Sequence, residues 1–240
     1  MPEYQLEREF TLEIGAIDGR GLARPSAIVD FMQECATHHA DELGLSGIEI
    51  NGEKVIWVLS RLKYYLNRPL RQYETVRVRT WPRLIRGALW YRDFRFFVEE
   101  QEVGHAITGW SVLSAGQHKL IRPKSLPVDL PQQVCGIDEL LTQVPCENMQ
   151  PVFDRTVHYS DIDVNRHLNN VKAVDILSDA IGLEHHEDWF VSALQVNYKA
   201  ETSCGTTLTL LRSEQDRTIT LQAMAGEQEK LQAQVTVSEV

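Results

Sequence analysis

The chain has 240 residues, of which 43% are hydrophobic and 24% are charged, and its formal net charge is −10. These proportions are typical of a globular protein, and no apolar run approaches the ~18 residues that a membrane span needs. The negative charge argues against a general nucleic-acid binder, which presents a basic surface. The acidic N-terminal segment has no apolar core of a signal peptide, so we expect a cytoplasmic protein.

The first half begins with a short β-type run at residues 11–18, followed by a helix. Apolar residues recur at helical spacing over residues 26–43, and Gly44 follows at a position that favours glycine. Four segments rich in β-branched and aromatic residues then predict strands. They are residues 57–65, 75–81, 90–98 and 106–114.

Positive charge is concentrated between residues 61 and 95, where ten basic residues stand against only Glu74 and Asp93. This window has a formal charge of about +8, which leaves about −18 for the rest of the chain. Arginines on the solvent-facing side of strands would explain the pattern without a function. The functional interpretation is a landing surface for an acidic partner or a phosphate group.

The second half repeats the first. Residues 156–163 match residues 11–18 at an offset of 145, and both segments end in an aspartate. A helix is predicted over residues 170–181, with Asn169 or Asn170 as its N-cap and Gly182 at its end. Predicted strands follow at residues 190–198, 206–212, 218–223 and 232–238. The proline-rich stretch between the halves is expected to be a linker with a short helical turn at residues 139–142.

This duplicated order predicts an α+β fold with two tandem antiparallel sheets, each wrapped around one central helix. The predicted N-terminal domain covers residues 1–130, the linker residues 131–150 and the C-terminal domain residues 151–240. Either a monomer or a homodimer is compatible with this organisation.

Asp163, Asn165 and His167 precede the second helix at positions i, i+2 and i+4. In an extended segment their side chains leave on one face, close to the free N–H groups of a helix N-terminus. Histidine, with an ordinary pKa of about 6.5, suits proton transfer at cellular pH. Asp163 also has a purely structural explanation, because aspartate favours turns and N-caps.

Metal binding is not favoured. The four cysteines form no CxxC pair and are expected to be free thiols. His185 and His186 are adjacent in a loop, where neighbouring side chains diverge, and His38 and His39 are interpreted as packing residues of a helix.

The segment Asp-Ile-Asp-Val-Asn-Arg-His-Leu-Asn-Asn-Val-Lys at residues 161–172 resembles the signature of acyl-ACP thioesterases. Residues 57–62 (Trp-Val-Leu-Ser-Arg-Leu), the segment at 81–94 that ends Trp-Tyr-Arg-Asp-Phe, and residues 198–201 (Tyr-Lys-Ala-Glu) fit the same family. The resemblance implies a double hot-dog fold. It also implies hydrolysis of the thioester between a fatty acyl chain and the phosphopantetheine arm of acyl carrier protein (ACP), with neither metal nor organic cofactor. The matching catalytic positions are Asp163, Asn165, His167 and Glu201.

The sequence departs from the family pattern at two places. Plant members have a cysteine directly after the glutamate, where this chain has Thr202, and this argues against a cysteine-dependent mechanism. In the first half, Arg20 and Leu22 stand where the second half has asparagine and histidine. We therefore expect one active site per chain, with the first half forming the wall of the acyl pocket.

The remaining roles that the resemblance suggests concern the substrate. The acyl pocket is expected to involve Phe31, Met32 and Trp57. Backbone N–H groups near Asn165 and at the start of the second helix, together with the Asn165 amide, are expected to stabilise an oxyanion. The arginines expected to meet ACP or the phosphate of its arm are Arg68, Arg71, Arg77, Arg83 and Arg86.

Three alternatives stay open at this stage. The nearest is a hot-dog thioesterase acting on acyl-CoA, whose phosphates arginines also bind. A hot-dog hydratase or dehydratase is less favoured, because those enzymes typically carry Asp-x-Asn-Pro-x-His and this segment lacks the proline. The third is a non-catalytic acyl-binding protein.

Overall fold

The computed structural model describes residues 5–50, 52–122 and 139–240, so residues 131–138 of the predicted linker and Cys135 lie outside the described residues. In the first half the described elements are β1 (Leu6–Thr11), α1 (Pro25–Glu42), β2 (Glu49–Ile50), β3 (Glu53–Leu66), β4 (Thr75–Arg86), β5 (Leu89–Val98) and β6 (Gln101–Ser114). In the second half they are β7 (Gln150–Thr156), α2 (Asn170–Asp179), β8 (Trp189–Tyr198), β9 (Thr207–Gln215), β10 (Thr218–Ala225) and β11 (Gln228–Glu239). The two predicted long helices and the strands predicted after each of them are confirmed, and α2 ends two residues earlier than predicted. The β-type runs predicted at residues 11–18 and 156–163 are wrong, because β1 ends at Thr11 and β7 at Thr156, and a short 3-10 turn follows each strand.

The helix ends follow local sequence signals. Pro25 opens α1, where its missing N–H costs no helical hydrogen bond, and Gly44 beyond the helix has φ of +68°. Asn169 caps α2, because its side-chain oxygen accepts the N–H of Val171 at 2.8 Å. Gly182, with φ of +81°, lies beyond the C-terminus of α2.

The strands pair antiparallel in the order β1-β4-β5-β6-β3-β8-β11-β10-β9-β7, with β2 added to β3. The last five strands repeat the arrangement of the first five in reverse order. The halves join where β3 pairs with β8, in register from Arg61↔Asn197 to Tyr65↔Ala193. The double hot-dog fold is therefore confirmed, and its two sheets share one hydrogen-bonded seam.

The two helices lie on the same face of this joined sheet and build one core with it. Met32 of α1, Leu177 of α2 and Phe96 of β5 are at most 1% exposed. Burying one such side chain contributes about 1.5–3 kcal/mol. The helices also contact each other directly, since Asn170 Nδ2 donates to Gln33 Oε1 at 3.3 Å. Among the described residues, no helix is long and apolar enough to cross a membrane.

The opposite face of the sheet is crossed at the seam by residues 139–142. Gln195 Nε2 and Asn197 Nδ2 donate to the carbonyl oxygen of Thr142 at 2.8 and 3.2 Å. Leu141 is 2% exposed and packs against β5 and β6. The helical turn predicted here is wrong, because side chains of the sheet, and not a helical ladder, satisfy this backbone.

Candidate active site

Residues 163–167, hereafter the His167 turn, lead into α2. The N–H of Asp163 donates to the carbonyl oxygen of His167 at 2.9 Å, and Asp163 Oδ1 accepts the N–H of Asn165 at 2.8 Å. Arg166, at the corner of the turn, has φ of +64°. The predicted extended segment with three side chains on one face is therefore wrong. An aspartate that accepts the N–H two residues further on folds the backbone into a turn.

The first half contains the same turn at residues 18–22, hereafter the Leu22 turn. Asp18 Oδ1 accepts the N–H of Arg20 at 2.9 Å, just as Asp163 Oδ1 accepts the N–H of Asn165. Gly21 occupies the corner with φ of +75°. Because the aspartate shapes both turns, it has a structural role that does not depend on chemistry.

The two turns differ at the positions of Asn165 and His167. The first half has Leu22 in place of the histidine, and this side chain is 4% exposed in the core. It has Arg20 in place of the asparagine, and Arg20 Nη1 donates to the carbonyl oxygen of His186 at 3.0 Å. The Leu22 turn thus fastens the first half to the second.

His167 and Glu201 face each other across the second half. The N–H of Leu168 donates to the carbonyl oxygen of Thr202 at 2.7 Å, which fixes the two backbone segments side by side. His167 Nε2 lies 3.5 Å from Glu201 Oε2, and the two side chains are 31% and 43% exposed. Water therefore reaches an imidazole beside a carboxylate, a pair suited to proton transfer.

The N-terminus of α2 is already capped. Asn169 Oδ1 accepts the N–H of Val171 at 2.8 Å and that of Lys172 at 3.4 Å. The prediction that the first N–H groups of α2 stabilise an oxyanion is therefore wrong for the N–H groups of Val171 and Lys172, because both already donate to the side chain of Asn169. Asn165 is exposed on the His167 turn, and its side-chain amide is a hydrogen-bond donor there.

An apolar cavity of about 200 Å³ lies in the first half, between the C-terminal part of α1 and the strands. Trp57 lines it, and its ring meets that of Trp90 edge to face with centroids 5.5 Å apart. Trp90 and Trp110 also line the cavity, and sequence reasoning missed them as candidates. Trp90 stands four residues before the buried Phe94 on β5. Residues at this spacing lie on the same face of a strand, which is the sequence signal for an inward-facing ring at position 90.

Phe31 and Met32 lie away from this cavity. Met32 is buried in the core, whereas Phe31 stacks on Phe10 with ring centroids 4.5 Å apart. Phe31 also lines a separate cleft of about 430 Å³ between the two helices, whose walls include Asp30 and Lys172. Residues of one helix point to different sides because each is rotated by about 100° from the last.

Arg92 also lines the apolar cavity, and its Nη1 hydrogen-bonds to His39 Nδ1 at 2.9 Å. Burial and the guanidinium charge of Arg92 lower the pKa of His39 to about 4. Burial lowers the pKa of Arg92 to about 10. At neutral pH the pair is thus a cation donating to a neutral imidazole, which carries its own proton on Nε2.

The predicted docking arginines do not share one surface. Arg83 is 5% exposed, and its Nη1 donates to the carbonyl oxygen of Glu139 at 3.3 Å. Its predicted place on a docking surface is wrong, because residues 139–142 cover that part of the sheet.

The other four arginines are at least partly accessible. Arg68 pairs with Glu74 at 2.8 Å, and Arg77 pairs with Glu100 at 3.3 Å. Arg71 and Arg86 are exposed. Much of the positive charge that the sequence concentrates in this window is therefore matched by the chain's own glutamates.

Cysteine chemistry has little support. Cys35, Cys146 and Cys204 are free thiols, as predicted. Burial raises the pKa of the Cys35 thiol to about 12, so it stays protonated. Among the described residues, no group of three or more His, Cys, Asp or Glu side chains is arranged to hold a metal ion.

Comparison with known proteins identifies relatives of both halves. The family model of the acyl-ACP thioesterase N-terminal domain matches residues 3–123, and that of the C-terminal domain matches residues 148–239. The chain is 25% identical over 206 residues to dodecanoyl-[acyl-carrier-protein] hydrolase, chloroplastic, of Cinnamomum camphora, an alignment covering 76% of this chain and 52% of that protein. It is 24% identical over 226 residues to palmitoyl-acyl carrier protein thioesterase, chloroplastic, of Gossypium hirsutum, covering 82% and 52%. The chain thus spans about half the length of the curated relatives it matches.

Solved structures share the fold over the whole chain. An acyl-ACP thioesterase from Bacteroides thetaiotaomicron superposes with a TM-score of 0.89 at 23% identity, covering 98% of each chain. The 12:0-ACP thioesterase from Umbellularia californica superposes with a TM-score of 0.80 at 18% identity, covering 100% of this chain and 99% of that one. With both halves matched by the family's models, the chain belongs to the acyl-ACP thioesterase family.

Proposed function

We propose that this protein hydrolyses the thioester of fatty acyl-ACP and releases the free fatty acid and ACP. The observation that carries the proposal is the pair His167–Glu201, 3.5 Å apart and open to water, with the exposed Asn165 two residues before the histidine on the same turn. Membership of the acyl-ACP thioesterase family supports the same reaction.

In the proposed mechanism, His167 and Glu201 together take a proton from a water molecule. The water oxygen attacks the thioester carbon, and the Asn165 amide donates to the carbonyl oxygen as it becomes negative. The tetrahedral intermediate then collapses, the C–S bond breaks, and the thiolate of the phosphopantetheine arm takes a proton from His167. General base action is typically worth ~10²–10⁴-fold in rate, and one oxyanion donor ~10²–10³-fold.

Asp163 acts in this scheme as a positioning residue. Its Oδ1 accepts the N–H of Asn165 at 2.8 Å and thereby sets the direction in which that side chain leaves the turn. The equivalent Asp18 makes the same bond in a half that has neither the asparagine nor the histidine. This comparison supports a shape-forming role over a proton-transfer role.

The acyl chain is assigned, as part of the proposal, to the apolar cavity of the first half. Each methylene group moved from water into such a site contributes about 0.8 kcal/mol. Trp57, Trp90 and Trp110 supply large apolar surfaces on its walls. The first half would then bind the acyl chain, and the second half would hydrolyse the thioester.

The test is a hydrolysis panel of acyl-ACP and acyl-CoA substrates from short to long chains, with release of free fatty acid as the readout. We expect a higher kcat/KM with ACP than with CoA for the same acyl group. A preference for CoA would favour the acyl-CoA thioesterase alternative, and hydration of an enoyl thioester without hydrolysis would contradict the proposal.

A further inference from the structure

The corner of the His167 turn carries a residue that its backbone disfavours. Arg166 has φ of +64°, in the left-handed region where a side chain crowds the backbone. The Leu22 turn solves the same geometry with Gly21, at φ of +75°. A Cβ added at Gly21 would meet no atom within 4 Å, so the backbone alone makes glycine the better residue there. The half that carries His167 therefore retains a strained backbone at Arg166, whereas the first half has glycine at the same corner.

The side chains at this corner point to solvent. Arg166 is exposed, and no carboxylate of the described residues lies within 4 Å of its guanidinium. Val164, two residues earlier, is 97% exposed, which makes it the most exposed of the large hydrophobic residues described. Arginine is enriched at protein–protein interfaces, and the exposed Arg166 and Val164 together offer a positive charge and an apolar contact at one corner.

The position of these residues relates them to the reaction. Arg166 directly precedes His167, and Val164 directly precedes Asn165, so any carrier that presents a thioester to the pair comes close to this corner. The chain as a whole has a net charge of −10 and would repel an acidic partner. A local positive charge at the mouth of the site offsets that repulsion where the partner arrives.

We propose that Arg166 and Val164 form a contact surface for the acidic carrier protein, with Arg166 meeting a carboxylate on its surface. This inference rests on the proposed function, since it names the partner that the active site would serve. It places recognition of the carrier on the catalytic half, in addition to any contribution from Arg71 and Arg86 of the first half.

The decisive variant is Arg166→Gly, which copies the corner of the Leu22 turn and is therefore expected to fold. We expect KM for acyl-ACP to rise by about 3- to 10-fold with kcat within about twofold, because a rim charge acts mainly on encounter. Arg166→Glu should raise KM further. The same acyl group on free pantetheine, which has neither phosphate nor protein, should be hydrolysed with unchanged KM. The melting temperature of Arg166→Gly should stay equal to or above that of the wild type.

Two control variants come from the turn between β9 and β10. This turn lies at the far end of β9, about 26 Å from the start of the strand. The start of β9 is next to Ser203, which forms an isolated bridge to His167. Asp216→Gly relieves a left-handed backbone of φ +56° without touching the site. Arg217→Gln removes an exposed positive charge there. Neither should change KM for acyl-ACP.

Three outcomes would overturn the inference. KM for acyl-ACP unchanged in Arg166→Gly would remove Arg166 from carrier binding. An equal rise with acyl-pantetheine would mean that the variant distorts the active site. An equal rise in KM with acyl-CoA would indicate that Arg166 contacts a phosphate group and not the carrier protein. Wild-type turnover of acyl-ACP is measured in the same series, so its complete absence would count against the proposed function and not against this surface alone.

Discussion

Leu22 in the first half occupies the place that His167 occupies in the second. Each lies at the end of a turn that begins with an aspartate, and each forms an isolated bridge to the segment after the following long strand, Leu22 with Arg71 and His167 with Ser203. One position is filled by a buried apolar side chain and the other by a partly exposed imidazole. The duplication therefore preserves the backbone of the turn while only one copy keeps a group that can transfer protons.

Glu201→Gln should abolish most of the hydrolysis of acyl-ACP, with a fall in kcat of about 10²–10⁴-fold, because the amide cannot accept the proton. The side chain is 43% exposed, so the fold should be unaffected. The measurement is kcat together with the melting temperature. A variant that keeps half of the wild-type kcat would show that the carboxylate is not part of the base.

Turnover of the wild type in ¹⁸O-water should label only the fatty acid, because water attacks the thioester carbon directly in the proposed mechanism. Label in the Glu201 carboxylate would instead indicate a covalent anhydride.

Arg20→Ala should lower the free energy of unfolding by about 1–3 kcal/mol, since it removes charge-assisted hydrogen bonds that join the two halves. One of these bonds runs from Arg20 Nη1 to His186 O at 3.0 Å. Urea denaturation measures the loss. The control Arg217→Ala removes an exposed ion pair and should change stability by less than about 0.5 kcal/mol. If Arg20→Ala lost kcat but kept its stability, the Leu22 turn would have a chemical role that we do not assign to it.

His39 should make the protein sensitive to acid. Its pKa in the folded protein is about 4, below the ordinary value of about 6.5, because burial and Arg92 disfavour the charged ring. The stability it contributes is therefore present above pH 6.5 and is lost as the pH falls towards 4, by at most about 1.4 kcal/mol per pH unit.

The measurement is urea denaturation of the wild type and His39→Asn at several pH values between 4 and 7. Asparagine offers Arg92 an acceptor close to the position of Nδ1 but does not titrate, so the stability of the variant should vary less with pH. Parallel curves for the two proteins would mean that another group carries the dependence.

Trp57→Leu should shift the chain-length preference towards longer acyl groups, because it enlarges the apolar cavity. The readout is the ratio of kcat/KM between long and short acyl-ACPs. Trp189→Leu, in the second half and outside that cavity, is the matched control and should leave the ratio unchanged. An unchanged ratio in Trp57→Leu would place the acyl chain elsewhere.

Much of the fold followed from local signals in the sequence. Pro25 and Gly44 bracket α1, Asn169 caps α2, and the matching segments at offsets of 145 and 133 residues reveal the duplication. These signals act through neighbouring backbone groups, so sequence alone carries them. The residues of the His167 turn were found for the same reason, since they stand together in one short segment.

The features that sequence did not predict depend on distant partners. Arg79 pairs with Glu7, 72 residues away, at 2.6 Å, and Arg83 is buried beneath residues 139–142. The alternation along β4 gave no sign of either contact. The shape of the His167 turn does not follow from side-chain alternation, because hydrogen bonds within the turn, among them those from the Asn165 N–H to Asp163 Oδ1 and from the Asp163 N–H to His167 O, override an extended backbone.

The most direct test of the central claim is release of free fatty acid from acyl-ACP by the wild type and by His167→Ala, with His185→Ala as the control. His185 is 78% exposed in the turn after α2 and takes no part in the proposed reaction. The account predicts turnover by the wild type and the control and a loss of about 10²–10⁴-fold in kcat for His167→Ala. A folded His167→Ala protein that hydrolyses acyl-ACP at the wild-type rate would contradict it.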